Sequence, residues 1–164
     1  MPQPLRWTLG WLVSAVAITA LAVLAQTQVV IAMLPDVAPT LGADPAPVAV
    51  GAGERLEQSG YDLHRLGSMY LLFVLGATLA AWLAAEVVAR FAPVRLRWVA
   101  FVVAGAVAML VMLFLAKQAF FGVDILAGAR TPSAKTLQAV AGALGGALMA
   151  WLTRRKRRSR YAVD

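Results

Sequence analysis

Apolar residues run along this chain in four long stretches separated by short polar punctuation. Trp7 to Ala25 carries no charge, Gln26, Thr27 and Gln28 interrupt it, and Val29 to Leu34 resumes the apolar character. Leu66 to Ala85 and Trp98 to Ala116 are likewise uncharged, and a fourth apolar stretch runs from about Thr136 to Thr153. A helix that crosses a bilayer needs about 20 such residues. The pattern predicts an all-α, four-helix transmembrane bundle as a single domain, with spans at about 7–34, 62–90, 97–117 and 135–153. The first stretch also contains Val23-Leu24-Ala25, which has the form of a signal-peptidase site. A single Arg6 ahead of so long an apolar run favours an uncleaved first helix instead.

Between the first two stretches the composition changes. Pro35, Pro39, Pro45 and Pro47 alternate with Gly42, Gly51 and Gly53 over residues 35–60. Proline removes backbone donors and glycine loosens the chain, so the segment reads as an extracytoplasmic loop. Ser59 followed three residues later by Asp62 resembles a capping signal and predicts that the second helix starts there. A helix from Tyr61 to Phe91 is about 46 Å long at roughly 1.5 Å per residue. Its first turns therefore stand in or beyond the outer headgroup layer. Glu86 and Arg90, four apart near its other end, read as a helix-surface ion pair. Thr131-Pro132 reads as an N-cap with proline at the first helical position.

Composition supports this picture. The 164 residues are 61 % hydrophobic and 14 % charged, with a mean hydropathy of +0.75. A soluble domain carries about 25 % charged residues. There is no cysteine, which excludes disulfides, thiolate metal sites and thiol redox chemistry, and there is one histidine, His64. No metal or other cofactor is expected.

Charge orients the chain. With both termini in the cytoplasm, ten of the fifteen Lys and Arg residues lie inside and six of the eight acids outside. That is the positive-inside pattern, and Trp7, Trp98 and Trp151 fall at the inner boundary, where indoles settle. The basic tail, 154–164, reads as an orientation signal in contact with anionic lipid rather than as a nucleic-acid site.

Two groups of residues carry candidate function. Gly142 and Gly146 form a GxxxG pair on the small-residue face of the fourth helix, suited to close helix packing. The partner expected for that face is the small-rich second helix, with oligomerisation the alternative. At the outer face, Asp62, His64 and Arg65 open the second helix, Lys117 and Gln118 close the third, and Arg130 precedes the fourth. Arg65, Lys117 and Arg130 suit an anionic head group or a lipid-linked phosphate. Asp62 with His64 offers an acid and a base, though the bland reading is ordinary interfacial polarity. No ionisable residue lies near the middle of a span, which argues against an ion channel or proton-coupled transporter.

The layout of Asp62 and His64, Gln118, Arg130-Thr131-Pro132-Ser133 and Gly142-Ala143-Leu144-Gly145-Gly146 resembles the VanZ-like family of bacterial multi-pass membrane proteins. That resemblance implies four or five spans in a bacterial inner membrane, and its named member is linked to glycopeptide-antibiotic tolerance. Leu115 stands where the family carries an acid, and Lys135 and Ala139 stand where it carries Asp and Asn. An activity resting on those acidic positions is therefore not expected here. The expected function is that of a small, non-catalytic envelope protein binding membrane lipid at its outer face. The alternatives are an accessory subunit of a larger membrane complex and an outer-face hydrolase or transferase.

Overall fold

The structure is a computed structural model and describes residues 3–37, 50–91, 93–121 and 130–154. Four helices make up the described chain: α1 (Gln3–Val37), α2 (Ala52–Phe91), α3 (Val94–Ala119) and α4 (Pro132–Leu152). Residues 38–49 of the expected loop and 155–164 of the basic tail lie outside the described residues.

Local signals mark the starts of α2, α3 and α4. Glu54 of α2 accepts a hydrogen bond from the Gly51 N–H at 3.0 Å, which holds the first turn. No proline follows until Pro93, so α2 runs for 40 residues, about 60 Å. Pro93 then caps α3, its carbonyl accepting from the Leu96 N–H at 2.8 Å. Phe121 adopts a positive φ of 56° just past the end of α3, where the chain turns away. Thr131 caps α4 by accepting from the Ala134 N–H at 3.2 Å, with Pro132 at the first helical position. The Thr-Pro signal thus marks the real start of that helix.

The expected loop at 35–60 is shorter than its composition predicts. Pro35 lies inside α1, one turn from its end, and α2 already begins at Ala52. Gly53 and Gly60 weaken a helix by about 1 kcal/mol each, but polar contacts with α1 along this segment offset that cost. Ser59 is therefore no cap. Its hydroxyl donates to the Arg55 carbonyl at 2.7 Å, in mid-helix.

Packing follows the order α1–α2–α3–α4 and closes from α4 back onto α1. The α3–α4 seam is the tightest. A β-carbon added to Gly105 would strike the Gly142 carbonyl, and one added to Gly142 would strike the Gly105 carbonyl. Gly146 sits in the same way against the Phe101 backbone, and Gly145 against the side chain of Ile18 on α1. The small face of α4 thus packs on α3 and α1, where the sequence suggested α2. The reason is Gly105, which gives α3 the one backbone surface close enough to receive Gly142. Trp82 and Phe101 fill the α2–α3 side, their rings 5.8 Å apart, and both are fully buried.

Three helices are long and apolar enough to cross a membrane: residues Pro4–Pro35, Ala52–Phe91 and Leu96–Ala119. α4 is not among them. Lys135, Gln138 and its run of glycines and alanines lower its hydropathy, and those small residues are spent on contacts with α1 and α3.

Candidate functional site

The end of the α1–α2 pair that holds Thr27 and Asp62 is built from polar side chains at helical spacing. Thr27 and Gln28 face Arg55, Ser59 and Asp62, which stand three to four residues apart along α2. The Thr27 hydroxyl lies 2.8 Å from Asp62 Oδ2 and 3.1 Å from the Val23 carbonyl. Gln58 donates to Asp62 Oδ1 at 3.2 Å. Arg55 donates to Gln28 Oε1 at 3.2 Å, and Gln28 Nε2 reaches the Ser59 hydroxyl at 3.4 Å. Both carboxylate oxygens of Asp62 are thus engaged by Thr27 and Gln58.

The candidate residues fall around this seam as follows. His64 and Arg65 are exposed, and the Arg65 guanidinium lies 5.3 Å from the centre of the Tyr61 ring. Such a cation–π contact holds the guanidinium near the surface while leaving edge donors open. Lys117 is half-buried in the last turn of α3, Gln118 follows it exposed, and Arg130 is exposed just before the cap of α4. Lys117 and Arg130 each have a partner of their own. A cleft of about 340 Å³ beside α2 is lined by Glu54, Glu57, Gln58 and Tyr61. Its two carboxylates make it a poor seat for an anion. Among the described residues no group of three His, Asp or Glu side chains is placed to hold a metal ion.

Deeper in the molecule lies a polar node that the sequence did not announce. Gln138 of α4 is 1 % exposed, and its Nε2 donates to the Ala22 carbonyl of α1 at 3.0 Å. Its Oε1 accepts from the Tyr70 hydroxyl of α2 at 2.8 Å. One amide therefore joins three helices, including the diagonal pair α2 and α4. Gln26 Oε1, one turn beyond Ala22, is buried without a described partner. Nearer the other end, Trp11 donates to the buried Thr78 hydroxyl at 3.2 Å. A lone Gln in an apolar helix was the only available signal for this node, since its partners come from distant stretches of chain.

The opposite end carries the described ion pair. Glu86 of α2 meets Arg97 of α3 at 3.1 Å, both side chains 18 % exposed. The pair crosses between helices because the short turn at Pro93 folds α3 back beside the end of α2. Arg97 also donates to the Thr153 hydroxyl at 3.2 Å. Arg6 of α1 donates to the carbonyls of Leu152 and Arg154, both at 3.1 Å.

No protein-family model, no curated protein and no solved structure matches this chain.

Proposed function

We propose that this chain is a non-catalytic, multi-pass integral membrane protein whose four helices form a transmembrane bundle with both termini on the cytoplasmic side. The observation that carries this reading is the reversed distribution of polarity. Outward faces of the helices present Val13, Val16, Leu72, Val103, Phe114 and Leu144, each 49–71 % exposed. Gln138, Thr27, Thr78 and Ser14 are at most 1 % exposed. Soluble monomers rarely expose contiguous apolar patches above a few hundred Å², whereas lipid covers such a surface at no cost. Within lipid, buried polar side chains turn inward and bond across helices. The resemblance to VanZ-like proteins is what points to a bacterial inner membrane and the cell envelope.

The ligand most consistent with the outer rim is an anionic lipid head group or lipid-linked phosphate, met by Arg65, Lys117 and Arg130 at the outer ends of α2, α3 and α4. The acidic lining beside Glu54 and Glu57 directs that ligand toward the α3–α4 side. Enzymatic use of Asp62 and His64 is disfavoured, because Thr27 and Gln58 occupy the carboxylate. A second reading, an accessory subunit of a larger membrane complex, is favoured by α2. It buries only 22 % of its apolar window, against 39 % for α1 and 33 % for α3.

Topology is tested first, with cysteines placed singly at Gly53 and Ser159 in a chain that has none of its own. In intact cells an impermeant maleimide is expected to label Gly53→Cys and to spare Ser159→Cys. Labelling of Ser159→Cys from outside sinks the orientation. For the ligand, the triple change Arg65→Gln, Lys117→Gln, Arg130→Gln is expected to abolish co-purifying anionic lipid at the outer face. Unchanged retention removes that assignment, and a stoichiometric protein partner in the same preparation establishes the subunit reading instead.

A further inference from the structure

Among the four described helices, α4 is the one that is not long and apolar enough to cross a membrane by its own composition. Leu137, Val140, Leu144, Leu148 and Leu152 are its only Leu, Ile, Val or Phe residues, the types that favour insertion of a helix into lipid. Alanine and glycine make up most of the rest. Standing alone in hydrocarbon, the helix would also carry the Gln138 amide unpaired, which opposes insertion.

The other three helices supply what α4 lacks. Gly142 and Gly146 seat against the backbones of Gly105 and Phe101 on α3, and Gly145 seats against Ile18 on α1. The Ala22 carbonyl of α1 and the Tyr70 hydroxyl of α2 engage the two ends of the Gln138 amide. At the last turn Arg97 donates to the Thr153 hydroxyl, and Arg6 donates to the Leu152 and Arg154 carbonyls. Carbonyls at a helix end have no intrahelical donor of their own. Close approach of small faces and bonds across helices are what associate spans within lipid. We propose, on the membrane reading above, that α4 is a conditional span. It crosses the membrane only while docked on the surface formed by Ile18, Ala22, Tyr70, Phe101 and Gly105, and the side on which the chain beyond Arg154 lies follows that docking. Gly105 separates docking from hydropathy, since it belongs to α3 and its replacement leaves every residue of α4 unchanged.

The test is labelling of Ser159→Cys by an impermeant maleimide in intact cells. Cations that follow a span oppose transfer to the outer side whatever the span itself does, so Arg155, Lys156, Arg157 and Arg158 are first changed to Gln. The cysteine of this neutralised chain is expected to stay protected, because docking holds α4. Adding Gly105→Val overpacks the seam and weakens the contact by about tenfold or more, and outside labelling is expected to rise by a similar factor. Further adding Thr136→Leu and Ala143→Leu, at an exposed and a half-buried position of α4, supplies apolarity without the seam and is expected to restore protection. Labelling of the neutralised chain that still has Gly105 overturns the inference, in favour of tail charge as the cause of α4 placement. Protection of the Gly105→Val chain overturns it in favour of insertion by the apolarity of α4 itself. Labelling that the two leucines do not reverse overturns it in favour of general unfolding. Failure of the membrane reading has a different signature: the parent chain, with its natural tail and Gly105, is then released by alkaline carbonate or labelled at Ser159→Cys from outside.

Discussion

The α3–α4 seam and the polar part of the α1–α2 seam are joined by opposite means. α3 and α4 meet backbone to backbone, with Gly105 and Gly142 each filling the space that the other's side chain would need. α1 and α2 meet through side chains, Thr27 with Asp62 and Gln28 with Ser59 and Arg55. The first kind of contact suits a setting where hydrophobic attraction between helices is absent and close van der Waals approach is what associates them. The second suits a setting where water competes and each polar pair contributes little on its own. The contrast marks the α3–α4 seam as a close-packed contact and the 52–62 end of α2 as a polar one.

The largest expected effect tests the glycine seam. Gly142→Val must displace the Gly105 carbonyl, which belongs to a helix and cannot rotate away. Overpacking of this kind costs about 1–3 kcal/mol, and more where backbone is the obstacle. Gly105→Val is expected to match it from the other side. Thermal unfolding in detergent, followed by loss of a single size-exclusion peak, reads the change. Either variant with a parent-like midpoint removes the claim that these two backbones touch.

Next in size is the buried node. Gln138→Leu strips Tyr70 of its acceptor and the Ala22 carbonyl of its extra donor, and interhelical hydrogen bonds of this type are worth about 0.6–1.7 kcal/mol. Tyr70→Phe is expected to cost less, because it leaves Gln138 still bonded to α1. Combining the two is expected to cost less than their sum, since both remove the same bond. Full additivity in that cycle breaks the node as described.

How far these features were legible in the sequence differs by kind. The three long apolar helices follow from uninterrupted runs of Leu, Val and Ala, and the start of α4 follows from Thr131-Pro132. The start of α2 did not, because glycine and proline content argued for a loop through residue 60. The helix over 52–60 meets Gln28 of α1 through Arg55 and Ser59, a partner that only the folded neighbour reveals. Gly142 and Gly146 marked themselves as packing positions, but their partner did not. Gly105 stands alone in a run of Val and Ala, and a single glycine carries no motif. In the candidate site, Asp62 was singled out for chemistry beside His64, and a threonine more than thirty residues earlier engages it instead.

A smaller effect is expected at the polar α1–α2 seam. Asp62→Ala removes acceptors from Thr27 and Gln58, but the region is partly open to water, which replaces them. The net contribution of such bonds is about 0.5–1.5 kcal/mol, and the lower end applies here. The same unfolding measurement is expected to show a shift well below that of Gln138→Leu. A larger shift would mean that this seam is drier than its polarity indicates.

The smallest effect, and the sharpest complement to Gly142, belongs to Gly76. It lies on α2 with nothing within 4 Å of where a β-carbon would stand. Gly76→Ala therefore meets no neighbour, and the gain in helix propensity, up to about 1 kcal/mol, is the only term left. The purified single chain is expected to be unchanged or slightly stabilised. If the protein instead works as a subunit, Gly76 is a position in the apolar part of α2 that a neighbouring helix can approach closely. Gly76→Leu is then expected to leave the stability of the lone chain intact and to reduce co-purification of its partner. The same substitution thus separates two meanings of glycine in one protein: at 142 it is required by a contact within the chain, and at 76 any requirement for it must come from outside the chain.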